Sequence, residues 1–398
     1  MVRSRTRWQN LLVLLSSVAL TLLAAEGAFR LLGVSYPYWS RVDPMTGYSP
    51  RPGVSGWVHD EGDAFVQINA DGFRDRDHSH EKPAGTVRIA VLGDSFTEAR
   101  QVDVSETFWS VTERKLADCR GLAGRQAEVL NFGVSGYGTV QEYLLLEHVW
   151  LFHPDVVLVA FFAGNDILNN SFELERNTQK PYMLEQSGSL VADFSFRDTA
   201  FFRRQTSLPA RFLLSVTDNS RVAQLIAESV RVFRHHRAVR RAMSAATGTG
   251  AVPRELGLDP EIYRPPVIKS HIEAWRVTER LLSAMGEQAR MHGARFAVIT
   301  IPHHGQTRPD RSKRVAEERA LGVRDLFYAE DRITALGARE GFPVFAIGRS
   351  MQREAEKTGA FLNGFVKTEL GAGHWNAEGH RIAGALIADE LCEYLKVR

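Results

Sequence analysis

The chain holds 398 residues, 44% of them hydrophobic and 24% charged, with a formal net charge of +2. That composition excludes wholesale disorder, and so small a net charge gives no bulk electrostatic case for a nucleic-acid partner. The two cysteines, Cys119 and Cys392, exclude a disulfide framework and a four-cysteine zinc site but allow one disulfide.

Residues 1–35 read as a basic cytoplasmic tip and a transmembrane anchor. Arg3, Arg5 and Arg7 precede Leu11–Ala25, a run of apolar and small residues without charge. Counted from Trp8, that stretch approaches the ~20 residues a helix needs to cross the hydrocarbon core. Glu26 and Arg30 follow, spaced to pair at i,i+4 or to reach the headgroups. The arginines ahead of the run place the N-terminus inside and the rest of the chain on the periplasmic or extracellular side. A cleaved signal peptide is the rival reading, but its best cleavage site, Ala25-Glu26-Gly27, carries an acidic residue.

Residues 36–85, rich in Gly, Pro, Asp and His, read as a linker and a short ordered approach. From residue 86 onward the pattern changes. Thr86–Leu92, Ala127–Asn131, Asp155–Phe162, Ala294–Ile301 and Phe342–Ile347 are short apolar runs of the kind buried in a parallel sheet. Helical patterns at Thr107–Leu116, Val140–Phe152 and Ile272–His292 lie between them. Strand alternating with helix predicts a doubly wound α/β domain over residues 86–398. It is interrupted by an insertion at about 167–266. Within the insertion, Ser220–Arg241 has a helical pattern with arginines on its polar face, read either as a solvated surface or as a face resting on lipid headgroups or an anionic polymer. Gly248–Gly257 reads as a flexible, turn-rich segment.

In open α/β sheets ligands bind at the carboxyl ends of the strands. The residues just past each apolar run there are Gly93-Asp94-Ser95, then Gly133-Val134-Ser135-Gly136, then Ala163-Gly164-Asn165-Asp166. Near the C-terminus comes His374-Trp375-Asn376-Ala377-Glu378-Gly379. A serine at a helix mouth, glycines whose backbone a ligand can approach, an amide donor and a histidine form the set of parts that acyl transfer requires. His303, after the fourth run, joins Asp94 and Asp166 as an expected residue of the site rim. The pairs His78/His80 and His235/His236 lack partners at metal-ligand spacing and read as surface residues, so no metal site is expected.

The run Val91-Leu92-Gly93-Asp94-Ser95 resembles the nucleophile block of the SGNH (GDSL-like) hydrolase family. Gly136 is similar to that family's second-block glycine, Asn165-Asp166 to its third block, and His374 with Asn376 and Gly379 to its last. The resemblance extends over residues 64–398 and includes Ile68-Asn69-Ala70-Asp71-Gly72-Phe73-Arg74. It implies a flavodoxin-like three-layer α/β/α fold with a five-stranded parallel sheet, and ester hydrolysis without a cofactor. It also implies that Ser95 is the nucleophile and His374 the base. The oxyanion hole would be made by the N–H groups of Ser95 and Gly136 and the side chain of Asn165. The substrate would be an acyl or O-acetyl ester, either a simple ester or an acylated glycan. Ala163 departs from the family's usual glycine. The family's usual acid, three residues before the histidine, is replaced by Gly371, and the nearest acids in sequence, Glu369 and Glu378, lack the spacing. A Ser–His dyad is therefore expected, with a backbone carbonyl holding the imidazole tautomer. Two alternatives stay open: an O-acyltransferase that modifies an extracellular polysaccharide, and a non-catalytic glycan-binding or scaffold protein with a relic site.

Overall fold

The computed structural model describes residues 2–246 and 259–396, so the segment Gly248–Gly257 lies outside the described residues. The chain divides into two units. One is made of residues 40–202 and 254–398, the other of residues 1–39 and 203–253.

The larger unit is built on strands β1 to β11. Three antiparallel hairpins pair β1 (Ser40–Asp43) with β2 (Gly47–Pro50), β3 (Ser55–Val58) with β4 (Ala64–Gln67), and β8 (Tyr182–Gln186) with β9 (Ser189–Asp193). The other five strands are β5 (Thr86–Gly93), β6 (Gln126–Gly133), β7 (Val156–Phe162), β10 (Arg295–Ile301) and β11 (Val344–Ala346). They form one parallel sheet in the order β11-β10-β7-β5-β6. Numbered within the sheet, that is the 2-1-3-4-5 order of flavodoxin-like folds. The three-layer fold implied by the resemblance is the one observed. β5 and β7 are buried along almost their whole length, which is why β7 reads as an unbroken Val/Leu/Ala/Phe run and β5 as an apolar run broken only by Arg88, whose buried guanidinium pairs with Glu128.

Side chains alternate between the two faces of the sheet. Val87, Ile89 and Val91 of β5 pack with Phe108, Trp109, Met351, Ile382 and Ile387. Ala90 and Leu92 face Leu146, Trp275, Leu282 and Ile333 on the other side. The helices Phe108–Leu116, Gly348–Thr358 and Ala377–Lys396 thus cover one face, and Thr139–Val149, Lys269–Met291 and Tyr328–Glu340 the other. Each strand therefore delivers its last residue to a common carboxyl edge.

Cys119 and Cys392 form a disulfide that ties the segment after Phe108–Leu116 to the C-terminal helix across 273 residues. A bridge closing so long a loop restricts the unfolded chain strongly. Replacing both cysteines by serine is expected to lower the unfolding free energy by about 2–5 kcal/mol. A denaturant titration reads this as an earlier midpoint; an unchanged midpoint would show that the bridge adds nothing to stability.

The smaller unit contains three helices, Val2–Leu31, Leu208–Asn219 and Arg221–Ala246. Trp8–Leu31 has a mean hydropathy of 2.0 over its most apolar window and is long and apolar enough to cross a bilayer, a property shared by anchors and signal sequences.

Candidate active site

β5 ends at Gly93, where a side chain would run into Thr97 and Ala160. Asp94 then caps the four-residue helix Ser95–Glu98, its carboxylate accepting from the Phe96 N–H at 2.9 Å. Ser95 is the first helical residue, so its own N–H is one of the donors a helix leaves unpaired at its start. The helix stops at Ala99, which sits in the left-handed region at φ 54°. The guanidinium of the buried Arg74 holds that end by donating to the carbonyls of Glu98, Ala99 and Val102. Arg74 is itself positioned by Asn69, whose side chain accepts from the Asp71 and Phe73 N–H groups and donates to the Arg76 carbonyl. The Asn69–Arg74 block is thus a brace for the serine turn.

Glu98 points back beneath the second block and accepts from the Ser135 N–H at 2.8 Å. Gly136 follows at φ 80°, and the Tyr48 hydroxyl lies 2.6 Å from where a Cβ would stand. Glycine is required there on both counts. Asn165, after β7, donates from Nδ2 to Asp94 Oδ2 at 2.9 Å. An amide nitrogen carries two hydrogens, so one remains for a ligand.

His374 lies at the other end of the chain. Its carbonyl accepts from the Gly364 N–H, and Trp375 forms a bridge with Asn363. Asn376 accepts from the N–H groups of Glu378 and Gly379 at the start of Ala377–Lys396. His374 Nε2 is 2.8 Å from Ser95 Oγ. Its Nδ1 is 2.7 Å from Glu61 Oε1, and its backbone N–H donates to Glu61 Oε2 at 3.0 Å. A carboxylate only accepts, so Nδ1 carries the proton and Nε2 is left to accept from the serine.

The expected backbone carbonyl is therefore replaced by a side chain. Glu61 lies in the turn between β3 and β4, inside the segment read as a linker. Neither Glu369 nor Glu378 takes its place: Glu369 is exposed, and Glu378 pairs with Arg381 at 2.6 Å. The glycines around His374 explain how Glu61 gets in. Gly373 is at φ 71°, and a Cβ there would lie 2.7 Å from Glu61 Oε2. Gly371, at the family's usual acid position, is at φ 85° with the Phe361 ring against it. The signal in the sequence was Gly373, whose missing side chain leaves room for the Glu61 carboxylate.

The expected rim residues are not on the rim. Asp94 and Asp166 are fully buried, Asp94 as the helix cap and Asp166 accepting from the Phe162 N–H at 2.8 Å. His303 is only 3% exposed and accepts from the Gly305 N–H, closing the turn after β10. Strand-end polar residues more often cap turns than face solvent. His78, read as surface, is also interior, set between Asp75 and Glu128. The side chains of His235 and His236 lie outside the described residues.

Electrostatics favour the arrangement. Burial pulls the His374 imidazole down, but the hydrogen bond and charge of Glu61, aided by Asp94, outweigh it and leave its pKa above the ordinary value. Burial pushes Glu61 up, and the bonds to His374 more than reverse that. Burial, reinforced by their mutual repulsion and by Asp94, pushes the carboxyls of Glu142 and Asp166 well above the ordinary carboxylate range. A groove of about 380 Å³ runs beside the acid turn, lined among others by Asp63, Val102, Phe365, Leu370 and Asn376. No group of three or more His, Cys, Asp or Glu placed to hold a metal occurs among the described residues.

No protein-family model and no curated protein matches the chain. Among solved structures it is similar to the acetyl xylan esterase AlAXEase, with a TM-score of 0.38 and 11% identity over 77% of this chain and 100% of that one. It is also similar to TesA (TM-score 0.37, 13% identity, 76% and 97% covered). A third is Axe2, an acetylxylan esterase from Geobacillus stearothermophilus (TM-score 0.36, 11% identity, 77% and 94% covered).

Proposed function

We propose that the chain is a serine esterase of SGNH type, held to a membrane by its N-terminal helix. The observation that carries this is the linear array Ser95 Oγ, His374 Nε2, His374 Nδ1, Glu61 Oε1, with separations of 2.8 Å and 2.7 Å at its two hydrogen bonds. Ser95 Oγ attacks the ester carbonyl while His374 takes its proton. The N–H groups of Ser95 and Gly136 and the Asn165 amide receive the oxyanion, each such donor typically worth ~3 kcal/mol. The C–O bond to the alcohol breaks as His374 returns the proton to the leaving oxygen. Water, deprotonated by His374, then attacks the acyl-serine and releases the acid, and Ser95 regains its proton. Glu61 holds the imidazole and offsets its charge, as a positioning residue. Two observations support a site outside the cytoplasm: the basic flank ahead of the apolar helix, and the disulfide, since such bonds persist in oxidising compartments.

A fluorophosphonate probe tests the reading, because it phosphonylates only an activated serine. The purified protein is expected to take up one equivalent and lose activity in parallel. An unlabelled protein would instead support a non-catalytic glycan-binding role. Incubation with an acetyl ester and an acceptor sugar then separates hydrolysis, which yields free acetate, from transfer, which yields acetyl-sugar.

A further inference from the structure

The smaller unit has a joint with an unusual division of labour. Glu26, on the N-terminal helix, accepts from the N–H groups of Arg221 and Val222 at 3.1 Å and from the Ser220 hydroxyl at 3.0 Å. It therefore caps the N-terminus of Arg221–Ala246. Arg30, one turn later and 2.7 Å from Glu26, donates to the Asn219 carbonyl at 2.8 Å and caps the C-terminus of Leu208–Asn219. One acid and one base of the N-terminal helix thus satisfy opposite ends of two consecutive helices, each matched in sign to the helix dipole it meets. The joint falls at the polar end of the run Leu11–Ala25.

Both helices carry exposed apolar stripes at helical spacing. Leu208, Phe212 and Val216 lie at i, i+4 and i+8, with Leu208 78% and Phe212 72% exposed. Ile226, Val230 and Phe233 form the matching stripe of the second helix, with Phe233 65% exposed. Exposing side chains of this size to water is unfavourable, so water is a poor solvent for this surface. The charges are one-sided: residues 203–241 hold nine arginines against Asp218 and Glu228.

We infer that the helix pair Leu208–Ala246 is a second membrane attachment, lying in the headgroup layer of an anionic phospholipid bilayer with Leu208, Phe212, Val216, Ile226 and Phe233 among the acyl chains. The inference rests on reading the N-terminal helix as an anchor. A joint fixed at the polar end of a spanning helix sits at the water–lipid boundary, and helices leaving it with apolar stripes and arginines meet the two layers that suit them.

The test uses the full-length protein in phosphatidylcholine–phosphatidylglycerol vesicles. Phe212→Cys and, separately, Val13→Cys carry an environment-sensitive fluorophore; the native cysteines are paired and do not react. Turnover of a soluble ester within about twofold of wild type confirms that each labelled protein is folded. With bromine on the upper acyl chain, the label at 212 is expected to lose about half its emission or more, as fits a depth of ~5–10 Å below the surface. The loss should shrink when phosphatidylglycerol is left out. Quenching at 13 without quenching at 212 overturns the attachment and leaves the anchor standing. Quenching at neither position overturns both. A blue-shifted label at 212 that ignores lipid bromine means a second copy of the chain covers the face, which also overturns the inference.

Discussion

Replacing Ser95 by alanine is expected to abolish turnover of an activated acetyl ester while leaving the fold intact. The side chain is half-buried at the mouth of a four-residue helix, and its Oγ bonds to His374 Nε2. Removing one oxygen there leaves the Asp94 cap and the Arg74 brace untouched, because neither uses the hydroxyl. The cost to stability should stay within about 1 kcal/mol. The chemical cost is far larger, since no acyl intermediate can form. Loss of a nucleophile of this kind lowers turnover on the order of 10⁶-fold in a serine hydrolase. The residue should also account for all fluorophosphonate uptake. Turnover retained in a purified, folded Ser95→Ala protein would remove the nucleophile assignment and the proposed function with it.

The second large effect is expected at Glu61. Glu61→Gln keeps the size and can still hold the His374 backbone N–H, but it can place its amide nitrogen toward Nδ1 and so favour the wrong imidazole tautomer. It also removes the charge that supports the imidazolium. Loss of the acid in a comparable triad costs about 10⁴ in kcat, and a fall of 10³–10⁴ is expected here, chiefly in kcat. A purely structural role would not move the pH profile, so the profile decides the matter. Catalysis requires neutral His374, so activity rises with pH through its pKa. In the wild type Glu61 holds that pKa above the ordinary histidine value, whereas the glutamine variant should carry its acid limb to lower pH. Glu61→Asp, which keeps the charge, should recover part of the rate. A Glu61→Gln enzyme within about tenfold of wild type, with an unmoved acid limb, would return the site to a Ser–His dyad.

The parts of this protein that could be read from its sequence are those whose physics is local. A strand buried on both faces is predominantly apolar, so Thr86–Leu92, despite Arg88, and Asp155–Phe162 announced β5 and β7 within a residue or two. Ser95 and His374 stood out as candidates because each lies in a short contiguous string, Gly93-Asp94-Ser95 and His374-Trp375-Asn376, that resembles a family block. Glu61 did not. It occupies His59-Asp60-Glu61-Gly62-Asp63, a string that is indistinguishable from a polar linker turn, and its partner is 313 residues away. No periodicity records a contact of that span. The rim assignment of Asp94, Asp166 and His303 failed for the opposite reason. Topology placed them at the correct edge, but whether such a residue points outward or closes its own turn is decided by packing. The hairpin β8–β9 inside the insertion was likewise invisible, since its strands are largely solvent-facing and carry no strong alternation.

Glu61 is synthesised early, Ser95 soon after, and His374 almost last. On the reading proposed here, a chain emerging residue by residue has no working site until the segment bearing His374 has docked against a hairpin made some three hundred residues before it. Contacts of that sequence separation form late in folding, because the loop between them must first be closed. Nascent chains, and chains truncated before His374, would then carry no hydrolytic activity. On that reading, the onset of turnover in a pulse-labelled population would time the meeting of the two ends, the last step in building the site.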